Sequence, residues 1–248
     1  MIRILGAGAW GSALAVLLAR PRDGVAPAEI ELIAHTATEA DSISSHHVSR
    51  RLPGISLPTG VRVRSVEEVL PPLDGRDLLV VAIPSEAIRN AISAAVSGDA
   101  SVVMASKGLS REGERVSELA VAAGVNPARL AGRREEVLAA LTRPTFRMYL
   151  SEDPIGVEVA GALKNVLAIA VSGVRSLGYG ENAAAALLSR GVAEMARLAE
   201  ACGGRAESAF GLAGVGDLVL TASNTGSRNA RLGELLASGM PVSGAVQT

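Results

Sequence analysis

The chain has 248 residues, 48% hydrophobic and 20% charged, which is enough apolar material for one large or two smaller cores and excludes disorder as its class. Lys and Arg number 24 against 25 Asp and Glu, a formal net charge of −1; with no basic excess to neutralise a phosphate polymer, nucleic acid is not an expected partner. The single cysteine, Cys202, excludes an internal disulfide, and it has no Cys or His neighbour at ligand spacing; no metal site is expected, and a reducing cytoplasm is.

Aromatic content is only 2% while Ala, Val, Leu and Gly abound, so small aliphatic side chains must fill the core against closely approaching backbone. Helices on a parallel sheet suit that. Residues 2–5 read as a short buried strand running into Gly6, Gly8 and Gly11, after which residues 12–20 read as a helix. Residues 4–19 could pass for a signal peptide. The positive region would be a single arginine, however, and the three glycines have a better explanation in a strand, glycine turn and helix.

Residues 21–27 read as a turn segment, and residues 30–34 as a second strand that completes a βαβ unit. Pro53, Gly54, Pro58 and Gly60 mark a loop; residues 61–64 then alternate apolar with basic, as an edge strand does. Residues 78–83, stopped by Pro84, and residues 101–105, before Lys107 and Gly108, are apolar runs of the kind found in buried parallel strands. From Gly156 two long Ala-rich helical stretches follow, about 157–176 and 182–202, with no strand signal between them. No stretch after the first reaches the length of a spanning helix without a charge, so no membrane span is expected. The expected architecture is α/β: a Rossmann-type parallel-sheet domain at 1–152, shortened internally near 130–136, followed by an all-α domain at 153–248.

Gly6-Ala7-Gly8-Ala9-Trp10-Gly11 is a GxGxxG placed after a strand and before a helix. Gly6 would permit the tight turn, Gly8 the approach of a pyrophosphate, and Gly11 close helix–strand packing, with phosphate oxygens on the helix amides. NAD-selective sites usually end the second strand with Asp or Glu; this chain offers Ala34, His35 and Thr36. NADPH should therefore be tolerated, although no arginine stands at that turn to clamp its phosphate. A solvated loop residue is the alternative reading of His35.

Lys164 shares a helix face with Val157, Ala160, Gly161, Leu167, Ala168 and Val171, while Glu158, Asn165, Ser172 and Ser176 lie on the other. A lysine on that apolar side must snorkel, pair with a carboxylate, or work in a cleft. Burial lowers the pKa of lysines in general, which suits proton transfer near neutral pH. Lys107 follows a predicted parallel strand at the end where open α/β sheets place ligands, although a surface lysine there is common. Residues 211–229 combine closely spaced glycines, Asp217 among apolar neighbours, and Ser227-Arg228-Asn229, whose arginine offers a planar fork for phosphate; a capping loop with a solvated arginine is the alternative.

GAGAWGSALA, RRLPGISLP, VVAIPSEAIR, ASKGL, IGVEVAGALKNVLAIAVSGVRSLGYGENAAAALLSRGVAEMARL and GLAGVGDLVLTASNTGSRNARLG together resemble the NAD(P)-dependent glycerol-3-phosphate dehydrogenases of the bacterial type. The resemblance implies an enzyme that interconverts sn-glycerol 3-phosphate and dihydroxyacetone phosphate with NADP or NAD, for glycerophospholipid synthesis. It further implies that Lys164 exchanges a proton with the substrate oxygen and that Lys107 meets substrate and cofactor. Asp217 would lie in the substrate site, and Ser227, Arg228 and Asn229 would grip substrate phosphate or cofactor. Ala9, Trp10 and His35 would touch the dinucleotide. A homodimer fits the family.

Two departures from the family pattern stand out. A strand ending in a Gly-Pro-Ser/Thr-Phe-Ala motif, then another strand and helix, would be expected near 130–136, and further helices with a Val-Glu-Gly segment after Thr248. Two other readings therefore stay open: a degenerate dinucleotide-binding module without turnover, and another β-hydroxyacid or ketoacid reductase of similar build.

Overall fold

The computed structural model describes residues 1–21, 28–95, 98–131, 133–223 and 226–246; most of the turn segment expected at 21–27, and Gly132, lie outside them. The chain forms two compact units, Met1–Leu150 and Ser151–Thr248.

In the first unit, β1 (Ile2–Leu5), β2 (Ile30–Ala34), β3 (Val61–Ser65), β4 (Leu78–Val81) and β5 (Ser101–Met104) form one parallel sheet of order β3-β2-β1-β4-β5. β1, β2 and β4 are buried along their whole length because helices cover both faces. The edge strand β3 instead carries an exposed Arg62. Side chains alternate between two cores. Ile2, Ile4, Ile30, Leu32 and Val80 pack with Leu14, Ala15 and Leu18 of α1 (Ala9–Leu18) and Ile43 of α2 (Ala37–His46). Leu5, Ile33, Leu79 and Val81 pack with Ile88 and Ile92 of α3 (Ile88–Ala95) and Leu119 of α4 (Val116–Ala122).

Arg3 interrupts the apolar pattern of β1. It is fully buried opposite Glu31 of β2, to which its Nε donates, and neither Nη atom has a hydrogen-bond partner among the described residues. After α5 (Pro127–Ala131) and α6 (Arg134–Leu141), the buried guanidinium of Arg143 donates to the carbonyls of Ala140, Thr142 and Leu18. It binds the C-terminal ends of α6 and α1, where helix dipoles favour a cation.

The second unit is helical. α7 (Pro154–Ser176) packs against α8 (Gly180–Ala201), α10 (Asp217–Ser223) and α11 (Arg228–Ala237), with α9 (Glu207–Phe210), a π-turn at Leu212–Gly216 and α12 (Val242–Ala245) completing it. α7 starts sharply because Pro154 occupies its first turn and Asp153 caps it. The Asp153 carboxylate accepts from Gly156 N at 2.9 Å, Arg205 N at 2.8 Å and Ser208 Oγ at 2.5 Å, fastening the start of α7 to the α8–α9 turn. α11 reaches α7 closely at Gly233, where an added Cβ would lie 2.3 Å from the Ile169 carbonyl oxygen. By length and composition α7 could cross a membrane; here it is the central helix of a packed bundle.

The boundaries differ from the sequence reading in instructive ways. α1 begins at Ala9 rather than residue 12, because Gly8 is its N-cap and Gly11 lies inside its first turn. β4 ends at Val81 and a 3₁₀ turn at Ser85–Ala87 precedes α3. On α7, Val157 is exposed near the helix start, while Ser172 is buried and donates to the Ala230 carbonyl at 2.8 Å. The packing of α11 on that side explains why the polar face is not uniformly wet.

Candidate active site

The glycine turn sits at the carboxyl end of β1, beside the point where strand order reverses between β1 and β4. Gly6 has φ +115°, and an added Cβ would lie 2.5 Å from the Ala82 carbonyl oxygen. At Gly11 it would lie 1.9 Å from the Gly6 carbonyl oxygen, so only glycine lets α1 enter so near β1. Gly8 has open space over it. No acidic side chain stands in the first turn of α1, which leaves that positive helix end suited to a pyrophosphate. Two buried hydroxyls, Ser12 Oγ and Ser49 Oγ, donate to the Ala7 carbonyl at 3.1 Å each and hold the turn.

Ala9 and Trp10 open α1 and are exposed, with Trp10 in tilted ring contact with Phe146. His35 is exposed just past β2. Lys107 is exposed three residues past β5, in a segment tied to the end of β4 through Ser106, which accepts from Ile83 N and donates to the Val81 carbonyl. These predicted residues therefore gather at the carboxyl edge of one sheet, in the first unit.

Lys164, Asp217, Ser227, Arg228 and Asn229 belong to the second unit. Lys164 is only 5% exposed. Its Nζ donates to Thr221 Oγ1 at 2.9 Å and lies 3.1 Å from Asp217 Oδ2, while Thr221 Oγ1 donates to the Asp217 carbonyl at 2.6 Å. Of the choices open to a lysine on an apolar face, it takes the carboxylate partner. The threonine hydroxyl turns its lone pair to the ammonium because its proton is spent on the backbone. Two of the three ammonium donors are thus directed, and no third partner stands among the described residues.

Ser227 is the N-cap of α11: its Oγ accepts from Ala230 N at 3.0 Å and donates to the Thr221 carbonyl at 3.1 Å. Arg228 is exposed at the first helical position. Asn229 Nδ2 donates to Asn165 Oδ1 at 2.8 Å, next to Lys164 in sequence. Arg175, at the last turn of α7, donates to the Ala222 carbonyl at 2.6 Å and pairs with Glu181, which fixes the end of α10. Asn224 and Thr225 lie outside the described residues.

Thr221 and Asn165 were not picked out from sequence. Thr221 had a usable signal: it stands four residues after Asp217, on the same helix face. Among the described residues of this unit, one acid with a shifted carboxyl is Asp153, at the start of α7. Burial pushes its carboxyl up, but hydrogen bonds from Ser208, Gly156 N and Arg205 N, with the Arg205 charge, outweigh that and hold it below its ordinary value.

A parallel sheet whose order reverses beside a glycine turn, followed by a helical unit that buries a lysine beside a carboxylate and a hydroxyl, has the build of a dinucleotide-dependent oxidoreductase. Comparison with known proteins narrows the class. The family model for the NAD-dependent glycerol-3-phosphate dehydrogenase N-terminus matches residues 1–131, and that for its C-terminus matches residues 153–248. Two proteins named glycerol-3-phosphate dehydrogenase (NAD(P)+) are similar over most of their length. That of Chlorobium phaeobacteroides (strain BS1) is 36% identical over 96% of this chain and 79% of its own. That of Acidovorax ebreus (strain TPSY) is 38% identical over 100% and 82%. The crystal structure of glycerol-3-phosphate dehydrogenase from Coxiella burnetii is 31% identical, with a TM-score of 0.83 covering 99% of this chain and 82% of that one. The chain belongs to the NAD-dependent glycerol-3-phosphate dehydrogenase family.

Proposed function

We propose that Lys164 is the acid–base group of an NAD(P)-dependent oxidoreductase that interconverts sn-glycerol 3-phosphate and dihydroxyacetone phosphate. One observation carries the assignment: a buried ammonium whose direction is set by Thr221 Oγ1 and Asp217 Oδ2. In reduction, Lys164 stabilises charge growing on the carbonyl oxygen and then gives up its proton to form the alcohol; in oxidation it takes that proton back. The nicotinamide ring, when bound, accepts or supplies the hydride. Asp217, with its side chain 20% exposed, balances the ammonium and offers a polar link to solvent. Gly6, Gly8, Ala9, Trp10 and Gly11 hold the dinucleotide, with His35 at its adenosine end.

The anionic end of the substrate falls to Arg228 and Asn229 at the start of α11, with Ser227 fixing that start as its cap. Lys107 completes the set as a cationic contact to substrate and cofactor. The supply of a glycerophospholipid backbone, a cytoplasmic location and a homodimer accompany this reading. A second reading, dinucleotide binding without turnover, draws on residues 132–152, which neither family model covers.

The test is substrate-dependent loss of NADH or NADPH absorbance by the purified chain, with dihydroxyacetone phosphate, unphosphorylated dihydroxyacetone and a 2-ketoacid in parallel. Turnover confined to the phosphate ester is expected. Preference for the ketoacid would overturn the substrate assignment, and cofactor binding with no turnover on any of the three would leave the binding module.

A further inference from the structure

The adenosine ribose of a dinucleotide lies past the end of β2, where a carboxylate on that strand commonly selects NAD over NADP. β2 ends in Ala34 and is followed by His35 and Thr36, so the end of the strand provides none. The fold brings two carboxylates there from other elements. Glu39, in the first turn of α2, accepts from His35 N at 3.1 Å while its own amide donates to Thr36 Oγ1 at 3.1 Å. Glu67, from the loop after β3, accepts from Ala37 N at 3.1 Å.

That loop is tied down. Val66 N donates to the Ala34 carbonyl at 3.1 Å, Glu67 N donates to Ser65 Oγ at 3.1 Å, and the Glu68 carboxylate accepts from Ser65 N at 2.8 Å. At the start of α2, where amides could hold a phosphate, Ala37 N is therefore engaged by the Glu67 carboxylate and Glu39 N by the Thr36 hydroxyl, while His35 N just before it is engaged by the Glu39 carboxylate. The neighbouring guanidinium of Arg64 is engaged with Glu68 and Glu31. His35 is exposed, and Arg50 and Arg51 are exposed on the loop that Ser49 pins to Ala7.

We propose that Glu39 and Glu67 make this chain selective for NAD(H) over NADP(H). This rests on the glycine turn being the dinucleotide site. Ribose hydroxyls can donate to a carboxylate, whereas a 2′-phosphate, close to dianionic at neutral pH, must displace both carboxylates or sit against them.

The experiment titrates the full chain with NADH and with NADPH, following fluorescence of its only tryptophan, Trp10, for the wild type, Glu39→Gln, Glu67→Gln and the double variant. Glutamine keeps each amide contact and still closes a helix cap, so the fold is preserved while one charge is removed. The wild type is expected to bind NADH about tenfold or more tightly than NADPH. The double variant should bring the two within about threefold by gaining NADPH affinity, with NADH affinity changed less than about twofold. Equal affinities in the wild type, an NADPH preference, or an NADH preference untouched by both substitutions would overturn the proposal. Binding of neither dinucleotide would overturn the glycine-turn reading beneath it, and tight NADH binding without turnover would leave it standing while removing the catalytic one.

Discussion

Replacing Thr221 with valine removes one hydroxyl and almost no volume, so its effect reports on the hydrogen bonds rather than on packing. The hydroxyl receives the Lys164 ammonium at 2.9 Å and spends its proton on the Asp217 carbonyl at 2.6 Å. Hydrogen bonds to charged groups contribute about 1.5–3 kcal/mol. Asp217 remains 3.1 Å from the ammonium, so the charge is not stranded, and the lower part of that range applies: about 2 kcal/mol. Spent on the direction of the proton donor, the same amount corresponds to about a 30-fold fall in kcat. Urea unfolding would measure the stability, NADH oxidation the turnover, and Trp10 fluorescence the cofactor affinity, which should stay within about twofold. Thr221→Ser should restore turnover to within about threefold. A Thr221→Val enzyme with wild-type kcat would refute the role of the hydroxyl in aiming Lys164, whatever its stability.

The glycine turn separates fold from ligand. Gly11→Ala, whose Cβ would lie 1.9 Å from the Gly6 carbonyl oxygen, should lower Tm and abolish dinucleotide binding together. Gly8→Ala, with open space above it, should leave Tm within a few degrees and weaken NADH binding about tenfold or more in a fluorescence titration. Asp153 is held below its ordinary value when folded, so its stabilisation is complete above the unfolded pKa of about 3.9 and is lost as pH falls through the lower folded value. Asp153→Asn should cost about 1–2 kcal/mol at pH 7 and flatten the acid limb of stability against pH, measured by urea unfolding across that range. Glu31→Gln should cost about 3–5 kcal/mol by stranding the buried Arg3 guanidinium, whereas the double change Arg3→Met with Glu31→Leu should return stability to within about 1 kcal/mol of the wild type or exceed it.

Much of the sheet was legible because burial on both faces leaves a plain mark: the runs at 2–5, 30–34 and 78–83 hold strands for the reason their composition indicates, the last strand ending at Val81. Arg3 and Glu31 broke those runs without breaking the strands, since each neutralises the other across the register, a relation no single segment displays. Lys164 was legible as a cation on an apolar stripe. Its partner Thr221 was not singled out, because a threonine in a helix ordinarily bonds its own backbone, and this one does that and receives the lysine as well. Glu39 and Glu67 were not legible for a different reason: neither stands at the end of β2 in sequence, and the helix turn and the β3 loop reach that place only in the fold. The clamp of Arg143 on Leu18 spans 125 residues and left no local trace.

The central claim is that Lys164 moves the proton at the substrate oxygen, and Lys164→Ala tests it most directly. With NADH affinity held to within about twofold, dihydroxyacetone phosphate reduction should fall by about 10²–10⁴-fold, the range contributed by a positioned acid–base group. A variant that keeps wild-type turnover, or one that loses NADH binding and turnover in equal measure, would contradict it.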